Sequence, residues 1–410
     1  IETVGGLEYA CRENRLVSLD GFGQKTQERV LSGIELLKRS RGHHLLNRAL
    51  VDAQRVEQVL TDHRDVIRVG IAGEVRRCLE VVQEIQIVVS GVQPDSIKPD
   101  LARLGSVDIL DGENLTLTQE SGIPTHVHCV REEAYPFALY HWTGSEGHRE
   151  QVARFADTLG LTLTDRLISR SGTLLDCLEE EDFYRVLGLP PIPPELREGL
   201  DELDQARQNK LPDLAERTDV RGVIHVHTRY SDGADSVKEM ADAALARGFS
   251  YVAICDHSRF AAYAHGLDID RVREQHDEID RLNETYDDFR KLKGIESDIL
   301  PDGSLDYPDD VLASFDVIVA SVHSVFNMSR ANMTDRILRA VRNPHTTVLG
   351  HPTGRLLLAR DGYEMDVERV IDEAVSCGVA TEVNPNPHPL DRDWPPLRDA
   401  KDQGATQTTG

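Results

Sequence analysis

The sequence predicts a multidomain α/β protein whose second half is a βα repeat, and three observations predict it. Its 410 residues exceed one ordinary domain at roughly 100–200 residues each, so two to four units are expected. The run Leu189-Pro190-Pro191-Ile192-Pro193-Pro194 and the charged stretch 195–217 behind it break the chain near its middle, since consecutive prolines favour stiff extended structure. Beyond that break, short apolar segments alternate with helical ones, the pattern of a parallel sheet or barrel. Hydrophobic content of 40% and charged content of 29% fit a globular chain. No apolar run approaches the roughly 18 residues that span a bilayer, so no membrane partner is expected.

The first forty residues read as helices around a turn with Gly21 and Gly23, followed by a helix start at Lys25 and Thr26. Glycines two apart before a helix free backbone N–H groups to face an anion. This is a helix-hairpin-helix pattern, which grips DNA phosphates without reading sequence; an ordinary capped helix–helix turn accounts for it equally well. From 41 to 130, helix and strand alternate, with strands expected at 66–72, 85–89 and 125–130 and Gly73-Glu74-Val75-Arg76-Arg77 between the first two. Residues 131–185 read as mostly helical around Tyr140-His141-Trp142-Thr143-Gly144-Ser145.

In the second half, strands are expected at 222–227, 251–255, 293–299, 317–322, 347–349 and 380–383. Most end in a metal-ligand residue type: His225 and His227, with Asp232 just beyond; Asp256-His257; Glu296 and Asp298; His323; His351. Residues i and i+2 of a strand share a face, so His225 and His227 are expected to chelate one ion. The carboxyl ends of barrel strands are where such folds assemble their sites. Imidazole with carboxylate suits zinc, manganese or iron. One histidine alone is usually a satisfied core or surface residue, but five at strand ends are the pattern of a metal centre.

The net charge of −25, with 71 acidic residues and only eight lysines among 46 basic ones, fits a salt-rich cytoplasm. At molar salt the Debye length is about 3 Å, so surface carboxylates repel little. The same charge excludes a basic face over most of the surface. Six cysteines lie far apart with no C-x-x-C pair, as expected for reduced thiols in a cytoplasmic protein. No signal peptide is expected, and Ile1 reads as an internal start.

The second half resembles the PHP (polymerase and histidinol phosphatase) family of metal-dependent phosphoesterases. The matching residues are His225-Val226-His227, Ser231-Asp232-Gly233, Asp256-His257-Ser258, Gly294-Ile295-Glu296-Ser297-Asp298, Ser321-Val322-His323-Ser324 and Gly350-His351-Pro352. The resemblance implies a distorted (βα)7 barrel and two or three divalent ions. Glu296 would bridge two of them, the first held with His225 and His227 and the second with His323 and His351; Asp232 and His257 would serve a third. It makes Glu296, His225 and His227 the catalytic set. Arg355 reads as a phosphate contact or, more often for an arginine three residues beyond a turn, as a surface salt-bridge partner. Members of the family close with a strand bearing Asp-x-His. Here the chain stops at Gly410 after Glu382-Val383-Asn384, so a fragment is expected.

The whole chain resembles family X DNA polymerases that carry a C-terminal PHP domain. Beyond the PHP motifs, the resemblance rests on the hairpin, on Gly73 through Arg77, on Trp142-Thr143-Gly144-Ser145 and on Leu187-Gly188-Leu189 to Glu198. It implies helix-hairpin-helix fingers over 1–40, a nucleotidyltransferase-like palm over 41–130, a small thumb over 131–185, a linker over 186–217 and the PHP domain over 218–410. Gly21, Gly23, Lys25 and Thr26 would contact DNA, and Arg76, Arg77, Thr143, Gly144 and Ser145 would hold a nucleotide or phosphate. The family's three catalytic carboxylates fall at Glu84, Gln86 and His126, so one survives, and the hard magnesium ion disfavours imidazole. Glu74 replaces a triphosphate-binding serine and adds repulsion of about 4 kcal/mol per charge pair at 4 Å and an effective dielectric of 20.

These residues predict a metal-dependent phosphoesterase carried on a polymerase-derived platform that no longer polymerises; the resemblance implies a 3′-to-5′ exonuclease or 3′-end-processing enzyme of DNA repair, with gapped or 3′-ended DNA as its partner. Template-directed synthesis and a non-catalytic DNA-binding scaffold are the two alternatives.

Overall fold

A computed structural model describes residues 1, 3–19, 21–383 and 406–409. Asp20 of the expected hairpin, and Asn384 and Gly410 at the chain's end, lie outside the described residues. The chain divides into two units, Ile1–Asp213 and Leu214–Gly410.

The first unit opens with helices Val4–Arg12 and Gln24–Arg39, which bury Ala10, Cys11 and Leu16 against Val30 and Leu31. Gly21 has φ +83° and Gly23 caps the second helix with no side-chain hydrogen bond, so this turn is made by backbone freedom rather than by a capping side chain. A five-stranded sheet follows. Its order is Arg68–Ala72, Ile85–Ser90, Pro124–Val130, Asn114–Gln119, Gly105–Ile109. The central pair, Ile85–Ser90 and Pro124–Val130, is parallel and the rest antiparallel. Helix Leu46–Thr61 buries Ala49, Ala53, Val56 and Leu60 in a core shared with Ile85, Ile87, Val89 and Val127. That spacing of three and four residues is one helical stripe.

Two elements correct the sequence reading. The antiparallel pair 105–109 and 114–119 extends the sheet where no strand is expected. Residues 161–175, expected to be helical, form a small antiparallel sheet of Leu161–Leu163, Ile168–Arg170 and Thr173–Leu175. Part of the expected linker also belongs to this unit. Arg197 is buried, its guanidinium bonded to Glu180 at 2.6 and 3.2 Å and to the Ile192 carbonyl at 2.9 Å, and Glu202 lies 2.7 Å from His148 Nδ1.

The second unit is a seven-stranded, all-parallel sheet in chain order: Gly222–Val226, Tyr251–Ile254, Arg290–Asp298, Val317–Ser321, Val348–Leu349, Ala380–Val383 and Gln407–Thr409. The seventh strand pairs with the sixth from Thr381–Gln407 to Val383–Thr409. Helices Val237–Ala246, Ile269–Asn283, Arg330–Val341 and Val367–Cys377 lie between strands. Each begins at a Ser or Asp (Ser236, Asp268, Ser329, Asp366) whose side chain accepts a first-turn N–H, a device that fixes where helices start. Alternate residues of each strand face opposite ways. Ile318 and Ala320 meet helix residues Met333 and Ile337, while Ile224, Ala253, Val319 and Val348 form the core of the other face.

Candidate metal centre

The centre is built where the first five strands of the second unit end. On the first strand, pairing with its neighbour shifts between Val223 and Val226 and His225 adopts a left-handed φ of +64°. The two rings therefore do not converge by sharing a regular strand face, as the sequence suggests. A bulge turns His225, and His227 lies past the strand's end, which is how bulges re-aim side chains at sites. Glu296 sits within the third strand, opposite Val319 of the fourth. His351 follows Gly350, whose added Cβ would stand 2.4 Å from Ser321 Oγ; only glycine lets the backbone come so close. His351 itself has φ +23°. Backbone strain of this kind concentrates at functional sites.

All five histidines surround one buried carboxylate. Glu296 Oε1 lies 3.0 Å from His225 Nε2, 3.0 Å from His323 Nε2 and 2.8 Å from His351 Nε2. Glu296 Oε2 lies 2.9 Å from His257 Nδ1 and 3.6 Å from His227 Nε2. Burial pushes the Glu296 carboxyl up, but His323 and His225 override it and hold it well below the ordinary value. Burial likewise pushes His323 down, and Glu296 and Asp298 reverse this to raise it to about 10.

Further carboxylates set the rings. Glu382 Oε1 takes His225 Nδ1 at 2.6 Å, and Glu382 Oε2 accepts the His351 backbone N–H at 2.7 Å. No sequence signal singled out Glu382, because it stands alone in a short apolar strand. Asp298 Oδ1 lies 3.2 Å from His323 Nδ1. Asp256 has a structural place: it accepts from the Thr228 N–H (2.7 Å), the Thr228 hydroxyl (2.6 Å), the Ser231 N–H (3.1 Å), the Ser231 hydroxyl and Gln275 (2.7 Å). It thereby fixes the turn that carries Asp232. Asp232 reaches back to His227 Nδ1 at 3.4 Å and to His257 Nε2 at 3.7 Å.

The donor set fits divalent metal. His225, His227 and Glu296 form one three-atom group, His227, Asp232 and His257 a second, and His257, Glu296 and His323 a third, with atoms of each group within 4.8 Å of one another. The last grouping runs through His257, whereas the resemblance pairs His323 with His351. His227 Nδ1 and His257 Nδ1 are buried with no hydrogen-bond partner, although carboxylate oxygens are close. Buried imidazole nitrogens left without a partner beside carboxylates are what a cation requires. The cluster lines a cavity of about 580 Å³, with Arg355, Tyr263 and Phe326 among the other walls.

Comparison with known proteins fits this geometry. Residues 224–383 match the PHP domain and residues 138–198 the DNA polymerase beta thumb. A protein of Bacillus subtilis (strain 168) named "DNA polymerase/3'-5' exonuclease PolX" is 35% identical over 407 residues, covering 98% of this chain and 71% of its own. The chain belongs to the PHP-containing family X DNA polymerases. Probable phosphatases of Thermoanaerobacter sp. (strain X514) and Acetivibrio thermocellus share 30% and 29% identity over 39% of the chain, covering 62% and 63% of their own lengths.

In a family X polymerase the palm carboxylates are the other place to look for metal. The register brings the three expected positions together: Gln86 pairs with His126 across the parallel strands. What they form is a hydrogen-bonded cluster. Glu84 Oε1 accepts from Gln86 Nε2 at 2.6 Å, and Glu84 Oε2 lies 3.2 Å from His126 Nε2. Gln86 Oε1 is 2.6 Å from His128 Nε2, whose ring stacks on Trp142 at 3.7 Å and meets Asn114 Oδ1 at 2.7 Å through Nδ1. Burial, with His126 and His141 nearby, pushes His128 down to about 3. Among the described residues, no three-ligand group lies within 41–130.

The residues expected to bind nucleotide are engaged with protein. Arg76 donates to Thr143 Oγ1 at 2.8 Å and to Glu180 at 2.8 and 3.2 Å. Arg77 donates to Glu198 at 2.6 Å and to the Thr143 carbonyl at 2.7 Å. Ser145 caps helix Glu146–Thr158 by accepting the His148 N–H at 3.1 Å, and a Cβ on Gly144 would meet His148 at 2.9 Å. The Glu74 carboxylate accepts the Gln83 N–H at 2.6 Å.

Proposed function

We propose that this chain hydrolyses phosphodiesters at DNA 3′ ends in its PHP domain, as a metal-dependent 3′-to-5′ exonuclease or 3′-end-processing enzyme, and that its polymerase half binds DNA without extending it. One observation carries the reading, the contrast between the two candidate centres. Five imidazoles stand within 3.6 Å of the Glu296 carboxylate, while of the three positions expected to carry the polymerase carboxylates only Glu84 is one, and it is engaged by Gln86 and His126. The names of the Bacillus and Thermoanaerobacter relatives support the same chemistry.

His225, His227, Glu296, His323 and His351, with Asp232 and His257, would hold two or three zinc, manganese or iron ions. Such ions, when bound, lower the pKa of a coordinated water and neutralise phosphoryl charge. The chain's own contribution is orientation. Glu382 and Asp298 fix the rings of His225 and His323, and Asp256 holds the turn that presents Asp232. Arg355 and Arg360 line the cavity and give it positive charge for a phosphodiester. The hairpin residues Gly21, Gly23, Lys25 and Thr26 would contact the DNA backbone.

The test uses the full chain with manganese at about 1 M salt, where surface repulsion is screened, and a 5′-labelled primer on a gapped template with and without dNTPs. Shortening that is lost in His225→Ala and Glu296→Ala, and no lengthening with dNTPs, is the expected result. Lengthening would restore the polymerase reading. No change in length would leave the scaffold reading.

A further inference from the structure

The metal-ligand residues account for one part of the cavity, but Tyr263, Phe326 and Leu356 also line it and offer little to a metal ion. Tyr263 is 70% exposed, yet its ring centre lies 6.1 Å from that of His257, edge toward face. It is thus within reach of anything bound at Glu296. The segment that presents it, 258–268, is pinned at several points. The Ser258 N–H donates to the Glu296 carbonyl at 3.0 Å and the Leu267 N–H to the His257 carbonyl at 2.8 Å. Asp306 accepts the Phe260 N–H at 2.7 Å and Arg259 Nε at 3.2 Å. Arg271 holds the His265 carbonyl at 2.7 Å. Gly266 passes so close to Ser258 that an added Cβ would lie 1.9 Å from its carbonyl oxygen.

An aromatic ring presented by a backbone held at several points has only its two side-chain torsions left to order, so little entropy is lost when something flat lies on it. We propose that Tyr263 is a stacking platform for the nucleobase of the terminal nucleotide, so that the site takes an unpaired, base-bearing 3′ end. This rests on the phosphoesterase reading above and names its substrate. Every base has a π-face, so a ring that only stacks is tolerant of sequence. A cavity of about 580 Å³ is of the size that takes one small-molecule-sized unit. Tyr263 is a specificity residue, remote from the reacting atoms.

Two short 5′-fluorescein single strands test this, one ending in a normal nucleotide and one in an abasic nucleotide, each with a terminal phosphorothioate linkage to slow cleavage. Binding by anisotropy, with manganese at about 1 M salt to screen phosphate attraction, should favour the base-bearing end about 5- to 150-fold, the range that one base–aromatic stack contributes. Tyr263→Ala should abolish that preference at unchanged metal content, and Tyr263→Trp should restore it. Equal binding of the two ends by the unaltered chain, or a preference that survives Tyr263→Ala, overturns the proposal. Intact preference with no cleavage of the same strands made with ordinary phosphodiester linkages keeps the platform and sinks the exonuclease instead.

Discussion

The carboxylate of Glu382 joins two histidines from different strands: one oxygen lies 2.6 Å from His225 Nδ1 and the other accepts the His351 N–H at 2.7 Å. A carboxylate on the far nitrogen of a ligand histidine fixes its tautomer and raises its basicity, and losing such a partner weakens metal binding about 10- to 100-fold. Glu382→Gln should show that loss in chelator competition, with its helix and strand content unchanged by circular dichroism. Unaltered affinity would make Glu382 a packing residue only.

Asp256 is buried and satisfies the donors of Thr228, Ser231 and Gln275. Its removal strands those donors. Asp256→Ala should destabilise the second unit by about 1–3 kcal/mol for each buried donor left without a partner, read as a lower urea midpoint.

Metal should stabilise the second unit by mass action, because the ligands come together only in the folded state. At a free metal concentration one hundred times Kd the gain is about 2.7 kcal/mol. Calorimetry should show a higher Tm with zinc or manganese, and Glu296→Gln should remove the shift. An equal shift in that variant would place the bound metal elsewhere.

The five-stranded sheet of the first unit should be sensitive to acid through His128. Its folded pKa is depressed from 6.5 to about 3, so the unfolded chain binds the extra proton between those values. Stability is fully present above about pH 6.5 and falls as pH drops toward about 3, with a slope of up to about 1.4 kcal/mol per pH unit from this group. His128→Gln should flatten the profile over that window when unfolding of the first unit is followed by Trp142 fluorescence.

Much of the second unit was legible because each ligand follows a short apolar run. Ile295 before Glu296, Val322 before His323 and Gly350 before His351 mark strand ends in one dimension. Glu382 was not legible, since its importance lies in reaching His225, distant in the chain and adjacent only after the sheet forms. The bulge at His225 was hidden for a related reason: a left-handed histidine leaves no trace in the pattern of residues. In the first unit, Leu115 and Leu117 alternate with threonines, a period-two signal that was readable. The sheet at 161–175 has strands of three residues each, too short for any period to register. The Gln86–His128–Asn114 chain likewise depends on register rather than on sequence spacing.

The strands of the second unit lie in chain order, and the five histidines are spread along them from the first strand to the end of the fifth. A ribosome therefore delivers the ligands one at a time, His225 first and His351 last. No nascent chain that stops short of His351 holds the whole set, and Glu382, which steadies both of those histidines, emerges later still. Capture of metal by the complete set thus waits for His351 to emerge, and a cell starved of the ion would first accumulate chains whose centre is empty.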